Sequence, residues 1–175
     1  FKHIKIKHAG LSVARNAGID NSNFDIILFI DADAVVDKNI LNAYLNTYKN
    51  NKVEFSGGKI SLLNTESKVA HFFQKTRFRQ NFNKYNYKEQ LIGANMSFKK
   101  RLFYEDGGFP NIFVSRGDDT FIREKFLKKY NYEPSPDAIV LHERPSNFLD
   151  CLKIFYVESI NGCLLYTSPS PRDDE

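Results

Sequence analysis

The run Ile26-Ile-Leu-Phe-Ile30 passes directly into Asp31-Ala-Asp33. Apolar, strand-forming residues without alternation read as a strand covered on both faces, the pattern of a central strand in a parallel sheet. In such sheets ligands gather beyond the carboxyl ends of the strands, which is where this carboxylate pair would stand. Two hard oxygen donors spaced i, i+2 suit Mg or Mn, and a metal held by few protein carboxylates suits a phosphorylated substrate. A strand followed by an Asp-rich turn, with Asp37 capping the next helix, accounts for the same residues without a metal.

The 175 residues suffice for one domain with a sizeable core. Hydrophobic residues at 42% and charged residues at 26% are ordinary for a soluble globular protein. The 16 Phe and 9 Tyr favour a packed interior over disorder. A net charge of +4 is too small to argue for nucleic acid, and is compatible with anionic substrates or a weakly anionic membrane surface. No apolar run approaches the ~20 residues needed to span a bilayer. No signal peptide is read in the sequence as given, and the start at Phe1 reads as that of a fragment. Cys151 and Cys163 form no metal or disulfide pattern, so a reducing, cytoplasmic setting is the expectation. Residues 163–175 break in composition from what precedes them, and the segment from Cys163 to Asp173 resembles an in-frame translation of a sequencing-library adapter. On that reading the natural sequence ends near Gly162, and the tail is excluded from fold reasoning.

Along the chain, residues 1–8 alternate apolar and basic and read as a short strand. Ser12 is placed to cap a short helix over 13–17, closed by Gly18. Asp37 can cap a helix reaching about residue 50, with Ile40, Leu41, Tyr44, Leu45 and Tyr48 on one face. Residues 53–56 and 59–63 read as strands interrupted by Gly57-Gly58. A helix follows over 67–82, with Val69, Phe72, Phe73 and Thr76 inward and a basic outer face that includes Arg79. Further elements are a strand over 92–98, a short helix over 99–104, a helix opening at Asp118-Asp119, a strand over 137–141 ending on His142, and an apolar helix over 148–160. Strands and helices alternate, which predicts an α/β class with a mostly parallel sheet flanked by helices.

Four polar spots punctuate these apolar elements: Asp31/Asp33, Gly93-Ala-Asn95, Asp118-Asp119 and His142. Singly, each has a plain explanation. Asp118 or Asp119 is a natural helix cap, His142 a surface residue at a strand end, Gly93-Ala94-Asn95 a close-packed strand with a buried amide, and Arg15 a solvated charge.

Together and in order they resemble family 2 glycosyltransferases, the large GT-A-fold group that uses nucleotide-diphosphate sugars. The segments that carry the resemblance are Gly10-Leu-Ser-Val-Ala-Arg-Asn-Ala-Gly18, Phe29-Ile-Asp-Ala-Asp33, Gly93-Ala-Asn-Met-Ser97, Gly107-Gly-Phe109, Gly117-Asp-Asp-Thr120 and Pro136-Asp-Ala-Ile-Val-Leu-His142. The resemblance covers roughly residues 1–145 and implies a GT-A, Rossmann-like domain over 1–147, truncated at its N-terminus. The family normally has about two further βα units upstream, including the strand that helps hold the nucleotide base. A helix over 148–162 would follow, interfacial or packed on the sheet, with 163–175 as the foreign tail.

The resemblance implies an inverting, metal-dependent transfer of a sugar to a hydroxyl acceptor, in the synthesis of a cell-surface glycan or polysaccharide. Asp33 would hold a divalent Mn or Mg, with Asp31 on the ribose or the metal and His142 approaching the metal or diphosphate. Asp119 would be the catalytic base. Arg15, Asp118, Gly93, Ala94 and Asn95 would line the donor and acceptor region. The partners implied are a nucleotide-diphosphate sugar and a glycan or lipid-linked acceptor, with peripheral contact at the inner membrane face and no nucleic acid. The chain departs from the family pattern at Phe121, where another acid is frequent, at Lys125, where Arg is expected, and at Arg116, where a small residue is common. These departures bear on acceptor geometry more than on the reaction type.

Two rival readings remain at this level. Asp31-Ala-Asp-Ala-Val35 also looks like the nucleophile loop of haloacid-dehalogenase-type phosphohydrolases, with Asp31 as nucleophile, Asp33 as general acid and Gly117-Asp-Asp119 as the acidic metal motif. That reading leaves the Ala14-Arg-Asn16, Gly93-Ala-Asn95 and Gly107-Gly-Phe109 segments unexplained. The other rival is a domain that binds a sugar nucleotide without turnover.

Overall fold

The apolar run folds as strand β1 (Ile26–Ile30), with successive side chains entering two different cores. A computed structural model of the chain describes residues 2–7, 9–77, 91–111 and 117–167. The elements that follow α1 (Leu11–Asn21) and β1 are β2 (Ala34–Val36), α2 (Ile40–Tyr48), β3 (Phe55–Leu62), α3 (Lys68–Arg77) and β4 (Asn95–Lys99). Then come α4 (Arg101–Asp106), α5 (Asp118–Phe126), β5 (Ser135–His142) and α6 (Phe148–Thr167). The strand order is β1-β4-β3-β5-β2.

The α/β class is as the sequence predicts, but the sheet is mixed. Among the described strands only β3 and β5 run parallel, while β1–β4, β3–β4 and β2–β5 are antiparallel. β1 accordingly lies at one end of the described sheet rather than at its centre. Its continuous apolar run reflects burial on both faces, which helices on each side supply whatever the direction of the neighbouring strand.

On one face, Ile27 and Phe29 of β1 meet Phe55, Met96 and Phe98 from the sheet and Ile19, Leu102, Phe103, Ile122 and Phe126 from α1, α4 and α5. Rings dominate this core. Phe98 stacks on Phe55 and meets Phe103 and Phe126 edge-on, with centroids between 5.1 and 5.9 Å apart. Each fully buried Phe contributes about 1.5–3 kcal/mol of apolar burial, which accounts for the Phe-rich composition. On the opposite face, Leu28 and Ile30 pack with Ile40, Ala43, Tyr44 and Tyr48 of α2.

β3 joins the two halves of the sheet. Its first residues pair with β4 and its later ones with β5, with a register irregularity between Gly58 and Lys59. Gly57-Gly58 therefore sits inside one continuous strand, not between two. A Cβ on Gly58 would lie 2.3 Å from the Asn95 amide nitrogen and 2.4 Å from the Ala138 carbonyl, so glycine is what lets the neighbouring strands close around this point.

Other expectations shift in detail. Residues 2–7 carry no strand, although their alternation resembles one; a strand needs a partner edge as well as a pattern. α1 begins after Gly10 and runs through Gly18, so Ser12 is a buried helical residue rather than a cap. In α2, Ile40, Tyr44 and Tyr48 face the core, but Leu41 and Leu45 face outward. In α3, Phe73 and Ala70 are buried while Phe72 and Thr76 are exposed. The continuation expected over 78–82, with Arg79, lies outside the described residues, as does Arg116. Among the described residues no helix is long and apolar enough to cross a membrane.

Candidate active site

β1 ends at Ile30, and the Asp31 carbonyl accepts the Ala34 N–H, turning the chain back into β2. β2 was not foreseen from the sequence, yet it builds the site. It pairs antiparallel with β5 in a register that sets Ala34 opposite His142, bringing the end of β5 to the carboxylate loop. His142 Nε2 lies 3.5 Å from Asp31 Oδ2 and 3.4 Å from Asp33 Oδ1. One ligand atom from each of Asp31, Asp33 and His142 falls within 4.8 Å of the other two. Asp33 is the open member, with its side chain 71% exposed, whereas His142 is 14% exposed.

This donor set fits a divalent cation such as Mn or Mg: two hard carboxylates and one imidazole. The imidazole is aimed by its other nitrogen, since Nδ1 lies 2.6 Å from the Glu143 carbonyl. An Nδ1–H donated to that carbonyl leaves Nε2 directed at the two carboxylates. Without a metal the groups stabilise one another. The hydrogen bond from His142 holds Asp31 below the usual carboxylate range, and the same bond raises the His142 imidazole.

The second cluster centres on Arg15 of α1. Its guanidinium pairs with the buried Asp118 carboxylate at the start of α5, lies 3.7 Å from Asp31 Oδ1, and rests over the Phe109 ring at 5.5 Å. Burial pushes the Asp118 carboxyl up, against the opposing pull of Arg15. The adjacent Asp119 points elsewhere. Its Oδ2 accepts the Gly93 N–H at 2.9 Å and its Oδ1 accepts the Thr120 N–H at 2.7 Å. Gly93 is bounded on its other side by Arg15: a Cβ there would lie 2.4 Å from Nη2. Glycine at this position reflects close approach of a cation.

Of the residues the sequence singled out, Arg15, Asp31, Asp33, Gly93, Asp118, Asp119 and His142 thus belong to one connected neighbourhood. Ala94 and Asn95 do not present free groups to it. Ala94 is buried, and the fully buried Asn95 side chain donates to the Lys59 and Ala138 carbonyls and accepts from the Tyr44 hydroxyl. Of the two readings of that segment, the close-packed strand with a buried amide describes Asn95.

Three contributors were given no role of their own from the sequence, although Asn16 and Phe109 lie in segments that carry the family resemblance. Asn16 clamps the Phe109 backbone, donating to its carbonyl at 2.7 Å and accepting its N–H at 2.9 Å. Phe109 supplies the floor under Arg15. Arg144 is buried near Asp31, with Nε donating to Gln74 at 2.8 Å, and its charge further lowers the Asp31 carboxyl. The position of Arg144, two residues beyond His142, was the available signal. Of the departures, Phe121 packs against the aromatic core, and Lys125 donates to the Asp106 carbonyl.

The family profile described as Glycosyl transferase family 2 matches residues 1–107. Among curated proteins, the chain is 24% identical over 123 residues to the Glucosyl-dolichyl phosphate glucuronosyltransferase of Haloferax volcanii, a match covering 66% of this chain and 39% of that protein. It is 23% identical over 143 residues to Glycosyltransferase AglE of the same organism, covering 79% of this chain and 46% of that one. The chain therefore spans less than half the length of these curated relatives. Among solved structures, the fold is similar to mannosyltransferase PcManGT from Pyrobaculum calidifontis in complex with GDP-Man and Mn2+. That match has a TM-score of 0.60 and 16% identity, and covers 93% of this chain and 46% of that one. TarS 1–349 of S. aureus matches with a TM-score of 0.60 and 17% identity, covering 90% of this chain and 47% of that one.

Proposed function

The chain belongs to glycosyl transferase family 2, and on that premise we propose that it carries the metal and base centre of an inverting sugar transferase. The donor is a nucleotide-diphosphate sugar, and the acceptor is a hydroxyl of a glycan or lipid-linked glycan in cell-surface polysaccharide synthesis. Family membership displaces the phosphohydrolase reading of Asp31. The observation that carries the proposal is the convergence of Asp31, Asp33 and His142 at the carboxyl ends of β1 and β5, with Asp119 joined to them through Gly93 and Arg15.

Asp33, Asp31 and His142 would hold a divalent Mn or Mg. When bound, that cation supplies positive charge to a departing diphosphate. The Mn2+ and GDP-Man of the similar mannosyltransferase support this choice of cofactor and donor class. Asp119 is the base. Two backbone N–H groups fix its carboxylate, which takes the proton from the acceptor hydroxyl as that oxygen forms its bond to the anomeric carbon. The bond from that carbon to the diphosphate oxygen breaks in the same displacement, so the configuration inverts and the electron pair leaves with the nucleotide.

We place the protein at the cytoplasmic face of the membrane. Exposed Phe148, Leu149, Leu152 and Tyr156 on α6 and the dolichyl phosphate named in one relative support contact with a lipid-linked acceptor. Failure to co-sediment with acidic phospholipid vesicles would remove that part of the proposal. The division into a transferase domain over 1–147, a helical segment over 148–162 and a foreign tail over 163–175 belongs to the same reading, although α6 runs on past residue 162 to Thr167.

The test is a panel of nucleotide sugars offered with Mn2+ and candidate acceptors to the wild type and to Asp119→Asn. The proposal expects transfer by the wild type with inverted product and a loss of about 100-fold or more in the variant. Transfer at near-normal rate by Asp119→Asn would sink the assignment of the base. Donor binding without turnover by the wild type would leave only the binding-module reading.

A further inference from the structure

We propose that Asp118 and Arg15 are positioning residues: their buried ion pair ties α1 to the start of α5 and sets the Asp119 carboxylate relative to the Asp31–Asp33–His142 cluster. The inference rests on the proposed transfer reaction and replaces the expectation that Asp118 and Arg15 contact the donor.

Neither group is available to a donor as the site stands. Asp118 is 1% exposed and engaged by Arg15 Nη1. The guanidinium in turn is buried against Asp118, Asp31, the Phe109 ring and the backbone of Gly93. Successive residues in the first helical turn diverge by about 100° around the axis. Asp118 therefore turns into the protein toward Arg15 while Asp119 turns to the Gly93 N–H at 2.9 Å.

The same guanidinium that grips Asp118 fills the space beside Gly93, the residue that grips Asp119. Its remaining reach is toward Asp31, at 3.7 Å. One side chain thereby sets the helix carrying the base and borders the loop carrying the metal donors. The next residue, Asn16, fixes the Phe109 backbone on both sides, and the Phe109 ring holds the guanidinium from beneath. Arg15 is suited to this job because a planar fork can address two carboxylates at once, which a lysine ammonium on a flexible stem does less well. Removing the Asp118 charge would leave the buried guanidinium with only the more distant Asp31 carboxylate.

The test compares Asp118→Asn, Arg15→Lys and the double variant in sugar-transfer kinetics at saturating Mn2+ with varied donor. Amide hydrogen exchange at Gly93 is read in the same proteins without substrate. A misplaced base should lower kcat by about 100-fold. Donor KM should stay within about two-fold, because the pair binds no donor. The double variant should be no worse than the worse single one, as expected of residues acting as a unit. Exchange at Gly93 should quicken by about 10-fold in Asp118→Asn and remain unchanged in Asp33→Ala. A raised donor KM with kcat intact, additive losses, or unchanged Gly93 exchange would overturn the proposal. If Asp118→Asn does not fold, Arg15→Lys carries the same readouts. Absence of transfer by the wild type counts against the reaction itself, and the exchange measurement still decides the positioning role.

Discussion

Replacing Asn95 by alanine will cost stability rather than donor affinity. The Asn95 amide is fully buried between β3 and β5, where it donates to the Ala138 carbonyl at 2.8 Å and the Lys59 carbonyl at 3.0 Å. It also accepts from the Tyr44 hydroxyl at 2.6 Å. Each bond contributes about 1 kcal/mol net, and each buried group stranded by the change costs about 1–3 kcal/mol. Part of that cost is relieved by relaxation, giving an expected loss of about 3–5 kcal/mol. Urea unfolding followed by circular dichroism should show the midpoint falling with an unchanged slope. Asn95→Asp should do at least as badly, because a carboxylate cannot donate to two carbonyls and brings a charge into the core. Adding Tyr44→Phe to Asn95→Ala should cost less than the sum of the two single losses, because the two groups are bonded to each other. A loss below about 1 kcal/mol accompanied by weakened donor binding would refute this reasoning and return Asn95 to the donor pocket.

Gly58→Ala should destabilise by about 3 kcal/mol in the same unfolding assay. The new Cβ would meet the Asn95 amide and the Ala138 carbonyl, which are bonded to each other and cannot both retreat; an unchanged midpoint would contradict the crowding. Alkaline pH should also unfold the protein. Burial pushes the Tyr44, Tyr48 and Tyr132 hydroxyls above their ordinary value of 10, and Tyr130 up to about 12. Above pH 10 the unfolded chain therefore releases protons that the folded chain retains, and stability falls as pH rises through that range. Tyrosinate absorbance and circular dichroism should change together; ionisation of these residues near pH 10 with the fold intact would contradict their burial.

The Asp31-Ala-Asp33 loop was legible as the end of a strand, because an apolar run that feeds cores on both faces stops there. His142 was legible as a strand end, but its meeting with the carboxylates depends on β2, a three-residue strand too short to announce itself by periodicity. Asn95-Met-Ser-Phe98 alternates as a half-exposed strand would, yet its polar face is buried, with Tyr44 and Tyr48 of α2 supplying hydroxyl partners for Asn95 and Ser97. The pairing lies some fifty positions apart in sequence, with separations of 51 and 49 residues. The antiparallel pairing of β1 with β4 and the engagement of Asp118 by Arg15 were hidden for the same reason: both are long-range contacts that local composition does not encode.

The most direct test of a metal at Asp31, Asp33 and His142 is nucleoside diphosphate release from the donor with Mn2+ present, with the metal removed by chelator, and in Asp33→Ala. Turnover should vanish on chelation, return when Mn2+ is restored, and fall by about 100-fold or more in the variant. Turnover indifferent to chelator, with Asp33→Ala near the wild-type rate, would contradict the account.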